Sequence, residues 1–233
     1  MDAVTIRRKG WLLLGVLLLA ALAVVYACCF RYRAVMVGGV LVHRHVFTTM
    51  FWVGEAATAD NDYISNSQSA WDDNWRTHFG GTDDPQARHG WLPAAFTPRE
   101  NPFYCALPYN DYTDNNARKP EAAHIIPWGR IWPGGTSLCK NHWVQITAHG
   151  RTVYAQWEDS GPFEYNDAAY VFGTRPPAST HFLHAGLDVS PAVNDYLHLG
   201  NGWFTDWHFV NAHDVPPGPW REVVTKREIS WGK

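Results

Sequence analysis

Three carboxylates in two short stretches of this chain are placed for acid–base chemistry. Glu158 and Asp159 end the apolar, strand-forming run RTVYAQWEDSGPF, and Asp188 stands in GLDVSP. Val153, Tyr154 and Trp157 favour extended backbone, and Gly161-Pro162 ends it. Side chains alternate across a strand, so Glu158 and Asp159 are expected on opposite faces, with one of them facing any given cleft. Asp188 lies between Leu187 and Val189 and just ahead of Ser190-Pro191, the cap and first turn of a predicted helix over 191–199 that stops at Gly200. Apolar neighbours raise a carboxyl's pKa, whereas a helix N-terminus favours the charged form, so the two influences on Asp188 oppose each other. A solvated acidic strand end at 158–159 and a helix-flanking Asp bonded to backbone amides are the plainer alternatives.

The elements that must position these groups read as mainly β. Short aromatic-rich pieces, drawn from 13 Trp, 10 Tyr and 11 Phe, are separated by Gly, Pro, Asn and Asp. Residues 48–54, 103–107, 205–210 and 220–225 read as strands. Residues 143–147 and 151–158 read as a β-hairpin turning at His149-Gly150. A polar excursion over 60–85 contains a predicted helix from Ser69 to Phe79, closed by Gly80-Gly81.

Trp11 to Phe30 is a run of twenty residues without a charge, flanked by Arg7-Arg8-Lys9 and by Arg31 and Arg33. It is long enough to cross a bilayer as a helix. The expected organisation is therefore an anchor over 1–33, a connector over 34–47 and one domain over 48–230. The anchor would be single-pass in a bacterial inner membrane, with the domain facing the periplasm or exterior. Lipoprotein processing at Cys28 is the competing reading of this segment.

Residues 1–33 carry five of the 19 basic and one of the 22 acidic residues, leaving 14 against 21 and a formal charge of −7 beyond them. Without a basic stripe, nucleic-acid binding is excluded as an expectation. The acidic pairs 60/62, 72/73 and 83/84 lack calcium-loop spacing. His181/His184 and His208/His213 have no accompanying metal motif, so neither a metal nor another cofactor is expected. Ser160 sits in DSGP and not in a G-x-S-x-G elbow, which argues against a serine hydrolase. Cys105 and Cys139 are compatible with a disulfide or with two buried thiols.

The pieces VQI, GRTVYAQWEDSGPF, AGLDVSPAVNDYLHLG and DWHFV follow one another between Trp143 and Val210. In their order and spacing they resemble the double-psi β-barrel of the rare lipoprotein A and expansin group. Family 45 endoglucanases and membrane-bound lytic transglycosylase A are relatives of that group. The resemblance implies a six-stranded double-psi β-barrel with long loops and short helices, here preceded by one N-terminal transmembrane helix, and a groove for polysaccharide. It aligns Asp159 with the Asp of an Asp-x-Gly-Pro turn and Asp188 with the general acid of the cleaving relatives. Ser160 stands where the group has Arg, and Gly186 where it has a polar residue.

The implied activity is cleavage of cell-wall glycan, peptidoglycan in particular, by a lytic transglycosylase-like or glycoside hydrolase-like route. The alternatives are a non-catalytic expansin-like binding module and a structural partner of an envelope complex. A hydrolase requires a second carboxylate, at about 5–5.5 Å for retention or about 6.5–9.5 Å for inversion. Asp159 is the candidate and Glu158 the reserve. Tyr109, Asn110, Asp111, Trp128, Trp143 and Trp157 are the expected glycan contacts, the aromatic ones by stacking on sugar faces.

Overall fold

A computed structural model describes residues 31–61, 63–129 and 137–225. The expected transmembrane segment 11–30 lies outside the described residues. Among those described, no helix is long and apolar enough to cross a membrane.

Among the described residues nine strands form in chain order: β1 Arg33–Val37, β2 Val40–Met50, β3 Arg88–His89, β4 Leu92–Pro93, β5 Tyr104–Leu107, β6 His142–Ala148, β7 Arg151–Ser160, β8 Leu187–Val189 and β9 Trp203–Val210. Four short α-helices accompany them among the described residues: α1 Trp75–Phe79, α2 Ala122–Ile125, α3 Ala168–Val171 and α4 Pro191–Leu197. Six strands close into a mixed barrel in the order β2-β8-β5-β7-β6-β9, with β9 pairing back onto β2. The β2–β8 and β5–β7 pairs are parallel and the other barrel pairs antiparallel. Closure leaves no barrel strand with a bare edge.

The barrel interior is filled by alternate residues of facing strands, among them Cys105, Leu107, Val144, Ile146, Val153, Trp157, Leu187 and Trp207, all essentially sealed. A second cluster of Phe51, Val53, Trp75, Phe79, Tyr104 and Ala106 packs on the outer side of β5. The central strand β5 is therefore buried on both faces. This accounts for its uninterrupted apolar sequence, Tyr-Cys-Ala-Leu.

The β6–β7 hairpin forms as its sequence predicts. His149 and Gly150 both take left-handed conformations (φ 51° and 72°), the geometry a two-residue turn needs, and Ala148 pairs with Arg151. The helix after Asp188 also forms, with Ser190 as its cap: its side chain accepts a hydrogen bond from the Val193 amide.

Three expectations are corrected. The long strand β2 begins at Val40 and β1 pairs with it, so residues 34–47 belong to the sheet and are not a connector. The helix in the excursion spans only Trp75–Phe79, because Ser69 is drawn into a bridge with Asp72. Residues 220–225 form no strand: Pro219–Arg221 is a 3-10 turn, and the short β8 takes the place in the barrel. Of the two readings open for Cys105 and Cys139, the structure has the pair of buried thiols.

Candidate functional site

Bending of one strand sets the site. Between β5 and β7 the register slips by one residue: Cys105 pairs with Trp157, but Ala106 pairs with Asp159. Glu158 is the extra residue, a β-bulge that re-aims everything after it. Under strict alternation Trp157 and Asp159 would share a face. With the bulge, Trp157 stays on the barrel-core side with Cys105, and Asp159 moves to the outer side with Ala106. On the other flank of β5, Ala106 pairs with Asp188 of β8, and Asp188 pairs in turn with Thr49 of β2. Thr49, Asp188, Ala106 and Asp159 thus form one row across four neighbouring strands. The two aspartates stand on either side of an alanine, their Cα atoms two strand spacings apart, roughly 10 Å.

This row is the floor of a groove of about 850 Å³. One wall comes from the excursion after β2. Gly54 and Asn66 exchange backbone bonds with Asn66 and Glu55 (2.8 and 3.1 Å), and Asn66 Nδ2 donates to Glu55 Oε2 at 2.7 Å, which brings Glu55 to the groove. The opposite wall is built from residues 110–119 and 161–166, with Phe182 and Gly200-Asn201 at its margin. The Gly161-Pro162 bond is cis. A Cβ at Gly161 would stand 4.0 Å from both the Ala106 methyl and Asp188 Oδ2, so the turn lies directly over the floor.

The two aspartates have similar acidities and different supports. Burial pushes the Asp188 carboxyl up to about 7, and the negative charges of Glu55 and Asp159 push the same way; a hydrogen bond donated by Thr49 Oγ1 to Oδ1 opposes them. Burial also brings Asp159 up to about 7. It is opposed there by the amides of Ala70 and Ser160, each donating to Oδ1 at 2.7 Å, and by the charge of Lys140. Backbone N–H groups can only donate, and so favour an ionised partner, whereas a threonine hydroxyl can turn and accept. The two carboxyls lose their protons over the same pH range, and the amide donors at Asp159 give its charged form the firmer support. The α4 N-terminus does not compete for Asp188, because Ser190 satisfies it.

The other sequence candidates separate clearly. Asn110 lines the groove, its Oδ1 accepting from Trp71 Nε1 and the Tyr112 amide, both at 2.9 Å. Glu158 is buried on the far side of the strand, where the Asn141 side-chain amide, turned to present its nitrogen, reaches its oxygens at 3.1 and 2.5 Å. Asp111 is sealed, accepting from Ser137 Oγ (2.7 Å) and the Leu138 amide (2.6 Å); it ties two loops together. Trp143 and Trp157 are core residues, and Tyr109 packs inward against Phe172. Trp128 lies flat on His142, with ring centroids 3.6 Å apart, and donates to the Leu138 carbonyl. None of these six contributes to the groove lining.

The groove's own aromatics are Tyr112, Phe163, Tyr165, Phe182 and the buried Phe51, which sequence reasoning missed along with Glu55 and Thr49. The available signal was position: Phe163 and Tyr165 directly follow the Gly-Pro turn, in a stretch too polar to be core. No family model, no curated protein and no solved structure matches this chain.

Proposed function

We propose that this chain cleaves a cell-wall glycan, peptidoglycan in particular, with Asp188 as general acid and Asp159 as the charged partner. In this reading the closed six-stranded barrel is a double-psi barrel of the rare lipoprotein A and expansin type, held at the membrane by the apolar run 11–30 with its groove outward. The observation that carries the reading is the pair of buried carboxyls, both near 7, flanking Ala106 on the floor of one groove. Protonation of a glycosidic oxygen at neutral pH needs an acid that has kept its proton, and burial next to other negative charges provides one.

The rest of the lining suits a sugar strand. Amide side chains such as Asn61, Gln68, Asn166 and Asn201 offer donors and acceptors to hydroxyls, and aromatic faces lie among them. The two strand spacings across Ala106 leave room over the floor for a water or a substrate hydroxyl to approach between the two side chains. An ionised Asp159 would activate that nucleophile or stabilise positive charge developing on the sugar.

The test incubates the full-length protein with purified sacculi and analyses released fragments. Fragments ending in an anhydro ring indicate the lytic route, and hydrated reducing ends the hydrolytic one. Protein that sediments with sacculi and releases nothing would replace cleavage by the binding-module alternative.

A further inference from the structure

The rim beside the two aspartates carries an aromatic surface that the fold does not need. Phe163 stacks nearly parallel on His181 (centroids 4.8 Å apart, 17°) and on Phe182 (5.5 Å, 25°), a three-ring stack that backs the exposed Phe182 as a shelf. Phe182 is 54% exposed and Tyr165 52%, yet both line the groove. Neither belongs to a core cluster.

The turn presenting Phe182 is built to hold it outward. Phe182, Leu183 and His184 take three successive left-handed conformations (φ 41°, 56° and 61°), which non-glycine residues adopt at a cost. Hydrogen bonds offset that cost: His181 N donates to Ser179 Oγ (3.1 Å), Ala185 N to the His181 carbonyl (3.0 Å), and the His184 ring meets the Ser179 carbonyl at 2.6 Å. Phe163 itself is left-handed (φ 60°), directly after the turn that lies over the carboxyl row. Two separate chain segments thus spend backbone strain on bringing exposed rings together at one edge of the groove.

We infer that the Phe163–His181–Phe182 shelf is a sugar-ring subsite, taking the C–H face of a pyranose adjoining the bond that is cut. A flat apolar surface with hydrogen-bonding groups at its edge selects a ligand with an apolar face and a polar rim. Here Asn166 and the hydroxyl of Tyr165, on the same wall, supply the edge. The groove's volume lies in the upper part of the range that encloses ligands larger than a single ring, so the shelf and the carboxyl row can be occupied together. This subsite rests on the glycan reading above and assigns it a specificity-determining surface.

The experiment uses the full chain carrying Asp188→Asn, so that ligand is not consumed, titrated with peptide-free glycan strands. Adding Phe182→Ala is expected to weaken binding roughly fivefold to tenfold, and Phe182→Tyr to restore it. With Asp188 intact, Phe182→Ala is expected to raise KM for strand cleavage and leave kcat and its pH profile in place. Strands that do not bind, or bind equally well without the Phe182 ring while the unfolding midpoint is unchanged, overturn the subsite. Cleavage that persists with no dependence on Phe182 overturns the subsite and leaves the glycan reading standing. Binding that depends on Phe182 with no fragment released by the unsubstituted protein does the reverse.

Discussion

Replacing Asp188 by Asn separates burial from chemistry. The folded protein holds the Asp188 proton up to about pH 7, whereas an ordinary Asp releases it near 4. The folded pKa is the raised one, so between these values the folded state binds more protons than the unfolded chain, and stability falls as pH rises. Below about pH 4 the carboxyl is neutral in both states and carries no penalty. Above about pH 7 the full penalty applies. Three units at about 1.4 kcal/mol each set a ceiling near 4 kcal/mol. Because the side chain opens to groove water, about 1–3 kcal/mol is the expected size.

Asn keeps an oxygen to accept from Thr49 and carries no charge. Its stability advantage over the unsubstituted protein should therefore be small at pH 4, grow through pH 5 and 6, and level off beyond pH 7. Urea unfolding of both proteins across pH 4–8.5 measures this difference directly. Glycan release by the same variant should fall by roughly 10²–10⁴, the contribution of a positioned acid. A stability difference that is flat with pH would show that Asp188 titrates as an exposed carboxyl. The assignment of the acid would then lose its basis, whatever the activity did.

Asp159→Asn removes a charge that raises the Asp188 pKa, so the alkaline limb of the pH–rate profile, which reports loss of the Asp188 proton, should move to lower pH, and the acidic limb should be lost; a profile with both limbs unmoved would remove Asp159 from the reaction. Thr49→Val deletes the hydrogen bond that opposes protonation of Asp188, so the alkaline limb should move to higher pH while the circular dichroism spectrum stays the same. Trp157→Phe should lower unfolding free energy by about 1–3 kcal/mol by hollowing the core. It should leave the affinity for glycan strands as it was, because Trp157 is fully buried; a marked loss of affinity without loss of stability would contradict its placement in the barrel.

Legibility of this protein from its sequence followed the range of the interactions concerned. The β6–β7 hairpin and the Ser190-capped helix are specified by residues within a few positions of each other, and both form where the local pattern puts them. The closing of the barrel is not local. β8 is three residues long and its partners, β2 and β5, are more than eighty residues away, so nothing in Leu-Asp-Val announces a barrel strand. Asp159 and Asp188 were identifiable as acids flanking predicted elements, and the structure brings both to one groove.

Their shared face depends on the Glu158 bulge, and period-two counting has no means of detecting an inserted residue. The aromatic candidates failed for a different reason. Tryptophan supplies core volume as readily as it stacks on ligands, and Trp143 and Trp157 sit on strands whose inward faces needed filling. The exposed rings belong to turns, where no periodicity distinguishes them.

Ala106 makes the gap between the two acids a property of the sheet. Loops usually fix such distances, and loops drift as sequences diverge. Here the spacer is one methyl group on a strand enclosed from both sides, so the backbone interval between Asp159 and Asp188 is as invariant as the repeat of backbone hydrogen bonds beside it. The surrounding walls are then at liberty to change length and residue type, altering what the groove admits without disturbing the spacing on which the proposed cleavage would rely.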